Sequence, residues 1–377
     1  MKKIIIITPS YVDCKSGTLK IGGLETYIKD LSLLFTNNEY KTIIYQFEDV
    51  EKELSCIYNN AEIISLPVLK KQYQKTFDNI YAKHNSEDSI FILATDQMDI
   101  KSKAQNVIAI QHGIAFDIPG YMINGFWGKN KTLQFINKVL RCIKNVKRFY
   151  NTKRTVCVDY NYYNWFRTLG TIYKDNKISV IPNYSSSFIS KEELEKKLAS
   201  SSETKKIVFA RRFVDYRGTL LFANIVDRIL CNHKNVEITF AGNGPLENEI
   251  KARFSQNPRV EFTSFNNAES IEFHKNYDIA VVPTIFSEGT SLSLCEAMSA
   301  GCFGIATHVG GLTNILIDRH NGLLCSPDED SLYESIHEAL TLDKTTYNNI
   351  IKNGYNTVFY ALSLSEWNKK WLKIIRK

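Results

Sequence analysis

The sequence has no apolar run that approaches the ~20 residues required to span a membrane. We also expect no signal peptide, because Met1-Lys2-Lys3 is followed by only four isoleucines before Thr8 and Pro9. The eight cysteines include no C-x-x-C pair and stand mostly in apolar runs, which predicts buried free thiols in a reducing compartment. These absences predict a cytoplasmic protein that contacts a membrane only at its surface.

Carboxylates are missing from residues 118–158, whereas the same stretch holds nine Lys and Arg residues, more than the net charge of +7 of the whole chain. Residues 131–150 fit a helix, because the apolar residues fall on one side at about 100° per residue. These are Leu133, Ile136, Val139, Leu140, Ile143, Val146 and Tyr150. Basic residues that fall on the other side are Lys131, Lys138, Arg141, Lys144 and Arg148.

Two interpretations of this basic helix are open. Its cations suit an anionic membrane surface that presents a lipid-linked acceptor. Alternatively, the apolar side packs on a sheet and the charges are merely solvated. No nucleic-acid-binding module accompanies the charge, so we expect no nucleic-acid partner.

Short apolar and β-branched runs alternate with helix-compatible stretches, which predicts parallel sheets covered on both faces. The predicted strands are residues 4–8, 42–47, 62–66, 90–95, 107–110, 155–158, 178–181, 207–210, 236–241, 260–263, 278–282, 303–307 and 322–324. At 377 residues the chain is long enough for two such domains without a disulfide or a metal. The expected fold class is α/β, with two doubly wound Rossmann-like domains facing a central cleft. Because residues 184–206 are polar and serine-rich, the expected division is a domain at 1–184, a linker at 185–205, a domain at 206–355 and a final helix at 356–377.

The stretch 283–301, PTIFSEGTSLSLCEAMSAG, follows a predicted buried strand and leads into helix formers. The turn between them should lie at the carboxyl edge of the sheet, where Thr290, Ser291 and Leu292 would offer free N–H groups to a phosphate. Glu288 and Glu296 bracket this turn. Since eight residues of helix rotate a side chain by roughly 80°, the two carboxylates should reach different parts of one ligand.

The spacing of Glu288 and Glu296, with seven residues between them, resembles the double-glutamate motif of the retaining family 4 glycosyltransferases. Members of that family use nucleotide sugars and have the GT-B fold, whose last helix commonly packs back on the first domain. The resemblance implies this position for the helix expected at 356–377. The resemblance implies that the turn amides hold the diphosphate and sugar of the donor. It also implies that Glu288 lies against the sugar hydroxyls and that Glu296 binds the ribose.

Two features of the N-terminal half resemble the same family. Gly22 and Gly23 match a GG-x-E loop that reaches the donor phosphate, and two adjacent glycines let the backbone approach a ligand closely; a flexible turn is the alternative. The loop is not the dinucleotide fingerprint, since G-x-G-x-x-G is absent. His112 follows a predicted strand, where the family has a histidine that contacts the transferred sugar.

The segment 210–218, ARRFVDYRG, resembles the family's G-R-L-x-x-x-K-G pattern, whose Arg and Lys clamp the diphosphate. Arg212 stands at the Arg, Arg217 stands at the Lys, and Arg211 replaces the glycine, so we expect no backbone contact to the ligand there. The family pattern also matches Gly242, in a G-x-G-P turn, and Ser264 with Phe265, where the family places the base pocket. The D-x-D of residues 328–330 is expected to cap a helix rather than bind a metal.

The resemblance therefore implies a retaining, metal-independent hexosyltransferase without a cofactor. Its expected donor is a nucleoside diphosphate sugar, with UDP favoured, and its expected acceptor is a lipid-linked saccharide of bacterial polysaccharide synthesis (O-antigen, capsule or lipopolysaccharide). The expected location is the inner face of the cell membrane. Alternatives are an epimerase or phosphorylase of the same fold, although no pyridoxal lysine is evident for the latter, or an inactive saccharide- or lipid-binding protein.

Overall fold

The computed structural model describes residues 2–20, 22–48, 50–67, 72–114, 117, 122–123, 125–169, 177–200 and 203–376. Its N-terminal half is built on an eight-stranded sheet with a small hairpin beside it. The strands are β1 (Lys3–Thr8), β2 (Val12–Asp13), β3 (Thr18–Leu19), β4 (Lys41–Glu48), β5 (Leu54–Tyr58), β6 (Ala61–Pro67), β7 (Ser89–Leu93), β8 (Val107–Gln111), β9 (Arg154–Cys157) and β10 (Ile178–Val180). The helices are α1 (Gly23–Thr36), α2 (Tyr73–His84), α3 (Lys131–Phe149) and α4 (Tyr160–Leu169).

The C-terminal half is built on a six-stranded parallel sheet. Its strands are β11 (Lys205–Ala210), β12 (Val236–Ala241), β13 (Val260–Thr263), β14 (Ile279–Val282), β15 (Phe303–Thr307) and β16 (Leu323–Cys325). Its helices are α5 (Lys191–Ala199), α6 (Thr219–Asn232), α7 (Glu247–Phe254), α8 (Ser270–His274), α9 (Leu292–Ser299), α10 (Glu329–Thr341) and α11 (Lys344–Ala361); α12 (Leu364–Ile375) follows them.

The strand orders are β10-β9-β8-β7-β1-β4-β6-β5 and β13-β12-β11-β14-β15-β16, which are doubly wound arrangements. The isoleucines of β1 show why both faces of the first sheet are covered: Ile4 and Ile6 enter one apolar cluster, and Ile5 and Ile7 enter another on the opposite face. The predicted fold of two parallel α/β units is therefore confirmed. In the described part of the chain, no helix has the length and apolarity needed to cross a bilayer.

One edge strand departs from the expected pattern. β5 pairs antiparallel with β6. The turn between them consists of Asn59 and Asn60, both with positive φ (49° and 61°), which is the geometry of a type I′ hairpin and one that asparagine tolerates. The tight hairpin explains an antiparallel strand in an otherwise parallel sheet.

The segment 185–205, predicted as a linker, contains the helix α5. Ser190 caps it, with its hydroxyl accepting from the Glu193 amide and the Glu193 carboxylate accepting from the Ser190 amide. Leu194 and Leu198 pack into the core of the C-terminal half. The predicted boundary between 355 and 356 falls inside α11.

The helix α12 lies on the N-terminal half, as the sequence suggested for the end of the chain. Trp367 and Trp371 are buried there, and the Trp371 indole N–H donates to the Tyr27 hydroxyl at 2.9 Å. The Arg154 guanidinium donates to the Ile374 carbonyl at 2.6 Å. This helix therefore ties the last residues of the chain to α1 and β9.

The cysteines are less buried than their sequence context predicts. Four of the eight are buried, at positions 157, 295, 302 and 325, whereas Cys231 is exposed. Cys14 and Cys56 lie in contact, with their sulfur atoms 2.7 Å apart, because the β2–β3 hairpin lies against β5. Burial was therefore predicted correctly for only half of them.

Candidate active site

A cavity of about 960 Å³ separates the carboxyl edges of the two sheets. All the residues predicted to be catalytic or donor-binding line it, although they are spread over 275 positions of the chain (22 to 296). They are Gly22, Gly23, His112, Arg212, Arg217, Gly242, Ser264, Phe265, Glu288, Thr290, Ser291, Leu292 and Glu296. A second cavity, of about 640 Å³ beside β5, contains none of them.

The turn from β14 to α9 presents backbone amides to this cavity. Ser291 caps α9, and its hydroxyl accepts from the Leu294 amide at 3.4 Å. The amides of Thr290, Ser291 and Leu292 donate to no described residue. Gly311 braces the turn, because its amide donates to the Glu288 carbonyl at 2.9 Å and a Cβ there would overlap the backbone of Gly289. The turn thus has the geometry that the sequence predicts for an anion site at a helix N-terminus.

Glu288 is buried and bound by three donors on a single carboxylate oxygen, Oε2. Arg211 donates to it at 2.6 Å and Thr284 at 2.8 Å, and Arg217 forms a third, shorter contact. Burial alone would raise the pKa of Glu288, but Arg211 and Arg217 lower it to about 2. Oε1 accepts no hydrogen bond from a described residue, so it is left for a ligand.

Glu296 occupies a different part of the cavity, as the spacing of the two acids predicts. The Ser270 hydroxyl donates to its Oε2 at 2.7 Å. Burial raises the pKa of Glu296 to about 7, with the Ser270 hydrogen bond opposing the shift. Near neutral pH this carboxyl group can therefore exchange its proton when a ligand binds.

His112 is fixed at the end of β8. Its Nε2 donates to the Ala94 carbonyl at 2.8 Å, and its ring meets the Tyr27 ring edge to face with 5.3 Å between centroids. Burial lowers the pKa of His112. The ring is neutral at physiological pH, and its Nδ1 is then an acceptor for a hydroxyl group.

Arg212 and Arg217, two cations that line the cavity, differ in whether they form an ion pair. The side chain of Arg212 is exposed and forms no ion pair with a described residue, whereas Arg217 contacts Glu288. Near them, Gly242 has a φ of +146°, and a Cβ there would overlap the carbonyl of Arg211. Phe265, at the predicted base pocket, stacks on Phe273 with centroids 4.2 Å apart.

The two halves meet beside the same turn. The Thr290 hydroxyl donates to the Val158 carbonyl at 2.7 Å and accepts from the Asn183 amide at 2.6 Å. Ser287 donates to the Ile114 carbonyl at 3.0 Å through its hydroxyl and to Asp117 Oδ2 at 3.3 Å through its amide. Movement of one half against the other would therefore act directly on the anion site.

The sequence missed several residues of the site. The sequence analysis assigned Arg211 no side-chain contact, although an arginine in place of the family's glycine was a visible signal. Thr284 and Ser270 hold the two glutamates and gave no signal in the sequence. Lining residues on the N-terminal side that it also missed are Tyr73, Thr95, Gln97, Met98 and Asn183. Asp328, in contrast, caps α10 as predicted, accepting from the Ser331 amide at 2.9 Å.

The amphipathic helix α3 lies with its apolar stripe facing outward. Val139 is 41% exposed, Leu140 49% and Ile143 45%. The opposite side is buried through Asn137, Asn145 and Phe149. The alternative that the apolar side packs on the sheet is therefore wrong.

The cations of α3 do not form the uniform outer face that was predicted. Arg148 is buried against Asp99, with 14% of its side chain exposed and a 4.0 Å separation. Lys138 approaches Asp117 at 3.6 Å, and Arg141 Nε donates to Asn137 at 2.7 Å. Lys131 and Lys144 form no ion pair with a described residue and remain exposed beside the apolar stripe.

Two Rossmann-like units around a cleft, with a helix N-terminus and arginines lining it, define the GT-B class of glycosyltransferase structures. Residues 190–357 match the family model of glycosyl transferases group 1. The chain is similar to the gpi3 subunit of phosphatidylinositol N-acetylglucosaminyltransferase from Schizosaccharomyces pombe, with 24% identity over 95% of this chain and 72% of that protein.

Solved structures of the same fold include two that cover all of this chain. Sucrose-phosphate synthase from Thermosynechococcus elongatus superimposes with a TM-score of 0.75 at 15% identity and is covered over 98% of its own length. HepE from Anabaena, in complex with UDP and glucose, superimposes with a TM-score of 0.71 at 13% identity and is covered completely. These two structures show the fold of this chain, and the family match covers its residues 190–357.

Proposed function

We propose that the protein transfers a sugar from a nucleoside diphosphate sugar, with UDP as the favoured nucleotide, and retains the anomeric configuration. One observation supports this above the others. The amides of residues 290–292 donate to no described residue, Arg212 forms no ion pair with one, and these groups line one cavity together with Glu288. These groups match a diphosphate joined to a sugar. HepE, with the same fold, binds UDP and glucose.

The proposed reaction is a front-face displacement. The acceptor hydroxyl oxygen bonds to the anomeric carbon, and the bond from that carbon to the β-phosphate oxygen breaks on the same face. The departing oxygen takes the hydroxyl proton, so the products are a glycoside and a nucleoside diphosphate. Arg212, Arg217 and the amides of residues 290–292 would stabilise the charge that develops on the diphosphate.

The remaining site residues would orient the donor. Oε1 of Glu288 and Nδ1 of His112 both accept hydrogen bonds, so they suit sugar hydroxyls. Glu296 suits the ribose hydroxyls. None of these steps calls on a metal or a cofactor, and we propose metal-independent transfer.

The proposed acceptor is a lipid-linked saccharide at the cytoplasmic face of a membrane. The support is the outward apolar stripe of α3, with the exposed Phe126 and Trp127 near its start and with Lys131 and Lys144 beside it. Such a surface suits an interfacial position with anionic headgroups nearby. Bacterial polysaccharide synthesis is the proposed setting. The resemblance to a phosphatidylinositol N-acetylglucosaminyltransferase subunit makes phosphatidylinositol a second candidate acceptor.

Thermal shifts with UDP, GDP, ADP and their sugars would identify the donor, because a ligand of the folded form raises its melting temperature. Incubation of that donor with membrane lipid extract or with phosphatidylinositol, followed by mass and NMR analysis, would identify the product and its anomeric configuration. A product of inverted configuration would contradict the proposal. Epimerised donor without transfer would indicate the epimerase. Unchanged function of Arg212→Ala and Glu296→Ala in complementation would indicate an inactive binding protein.

A further inference from the structure

Arg211 lies at the edge of the cavity, where the glycosyltransferase pattern that this segment resembles has a glycine. Its guanidinium donates to Glu288 Oε2 at 2.6 Å and to Thr284 Oγ1 at 2.5 Å. The Thr284 hydroxyl donates in turn to the same Oε2 at 2.8 Å. The three side chains form a closed triangle that fixes one oxygen of the carboxylate.

Arg217, the third donor to Oε2, is less constrained than Arg211. Its side chain is 27% exposed, compared with 6% for Arg211. One N–H at Nη1 donates to Glu288, and the guanidinium lies 5.1 Å from the centroid of the Tyr216 ring. A guanidinium has five N–H donors in a fixed fork, so Arg217 can also approach a phosphate in the cavity.

A diphosphate in the cavity and the Glu288 carboxylate would compete for Arg217. Removing the partner of a buried carboxylate is strongly unfavourable. If Arg217 were the single cation beside Glu288, the carboxylate would hold it away from the ligand. Arg211 and Thr284 remove this conflict, because both can stay on Oε2 when Arg217 moves.

The charges agree with this division of roles. The three guanidiniums of residues 211, 212 and 217 and the carboxylate of Glu288 sum to two positive charges (3 − 1). Once Arg211 is assigned to Glu288, the two remaining guanidiniums match the roughly two negative charges of a diphosphate ester.

We propose that Arg211 is a positioning residue that holds Glu288 in place of Arg217, so that Arg217 is available to the diphosphate of the donor. The inference rests on the proposed function, since it requires a nucleoside diphosphate in this cavity. It also explains how a chain with arginine in place of the glycine can keep a working diphosphate clamp. With Oε2 held by Arg211 and Thr284, the orientation of the Glu288 carboxylate does not depend on Arg217.

The test measures UDP affinity by calorimetry in the full-length protein, its Arg211→Met and Glu288→Gln variants and the double variant. Without Arg211, the carboxylate retains Arg217, so UDP affinity should fall about tenfold or more in Arg211→Met. In the double variant the neutral amide releases Arg217, so UDP affinity should return to that of Glu288→Gln. UMP, which has no β-phosphate, should be affected less than UDP in every variant.

A pH series provides a second readout that a general loss of structure would not reproduce. Arg211 is the first of the two guanidiniums that lower the pKa of Glu288, so its loss should let Glu288 protonate at a higher pH. Because that protonation also frees Arg217, the ratio of wild-type to Arg211→Met affinity for UDP should shrink as the pH falls. Arg211→Lys, which keeps the charge but lacks the fork, should show a smaller loss with the same rescue by Glu288→Gln. If Arg211→Met does not fold, Arg211→Lys replaces it in the test.

Wild-type affinity for UDP in Arg211→Met, or a loss that Glu288→Gln does not restore in a folded double variant, would overturn the inference. Failure of the wild-type protein to bind UDP, GDP and ADP would instead overturn the proposed function. The two failures are therefore distinguishable in one set of titrations.

Discussion

Glu288 and Glu296 are both carboxylates in one cavity, yet their surroundings shift their pKa values in opposite directions. Guanidiniums lower the pKa of Glu288 to about 2 despite its burial, and burial raises that of Glu296 to about 7. Glu288 is therefore ionised at any physiological pH and can orient a sugar. Glu296 changes its protonation in the same range and can couple ligand binding to pH.

Binding of UDP should release a proton from Glu296. Its pKa in the free protein is raised from 4.5 to about 7, so near pH 7 much of it is protonated. Ribose hydroxyls donate hydrogen bonds to the ionised form, so binding should release on the order of half a proton and strengthen as pH rises from about 6 to 8. Calorimetry in buffers of different ionisation enthalpy measures the proton count. The Glu296→Gln variant is the control for titration of the UDP phosphate itself. Equal proton release from the wild-type protein and this variant would contradict the proposed role of Glu296.

Arg212→Met should weaken UDP binding without lowering the melting temperature, because this side chain is exposed in the cavity and has no ion-pair partner among the described residues. A charge-assisted hydrogen bond to phosphate contributes about 1.5–3 kcal/mol, which corresponds to roughly a 10- to 150-fold loss of affinity. Uridine, which has no phosphate, should bind both proteins alike.

Arg228→Met is a matched control for this substitution, since Arg228 is a half-exposed arginine outside the cavity that pairs with Asp330 at 2.7 Å. It should leave UDP affinity unchanged. If the two variants lose UDP affinity equally, Arg212 has no specific part in binding the diphosphate.

At the scale of elements, the sequence predicted those features that depend on the local pattern of residues. Buried parallel strands give apolar runs, so most of the strands were located from them; β5 and α5 were missed although Asn59-Asn60 and the Ser190 to Glu193 capping box were visible signals. Pairings across long distances in sequence were not predictable. The contact of Arg211 with Glu288 joins residues 77 positions apart, and periodicity gave the stripe of α3 without showing which side faces the protein.

Replacing two apolar residues of the α3 stripe should weaken binding to vesicles. Burial of a large apolar side chain contributes about 1.5–3 kcal/mol, so Leu140→Ser with Ile143→Ser should lower partitioning at least ~100-fold. Both side chains are exposed, so the melting temperature should not fall. Sedimentation with sucrose-loaded vesicles measures the partitioning.

The two exposed lysines beside the stripe, Lys131 and Lys144, provide the matched comparison. Lys131→Gln with Lys144→Gln should weaken binding only to anionic vesicles, by about 1 kcal/mol per residue, and the effect should vanish at high salt. Full vesicle binding by both double variants would show that α3 is not the membrane surface.

In the whole molecule, the charged and the uncharged lining residues of the cavity lie on opposite sides of it. The charged lining residues Arg211, Arg212, Arg217, Glu288 and Glu296 all belong to the C-terminal half, and the lining residues described in the N-terminal half are uncharged. The C-terminal half is therefore suited to binding the donor by itself. The N-terminal half completes the site only when the two halves are held together.

Asn314→Ala should slow turnover while leaving UDP affinity unchanged, because it loosens the contact between the halves without touching the cavity. The Asn314 side chain accepts from the Tyr160 amide at 2.8 Å across the interface. Loss of one such bond costs about 1 kcal/mol, so kcat should fall roughly fivefold. The matched control is Asn353→Ala, whose side chain donates to the His320 carbonyl at 3.0 Å within the C-terminal half. An equal loss of kcat in that control, or a parallel loss of UDP affinity in Asn314→Ala, would show that the contact stabilises the fold rather than the closed arrangement of the two halves.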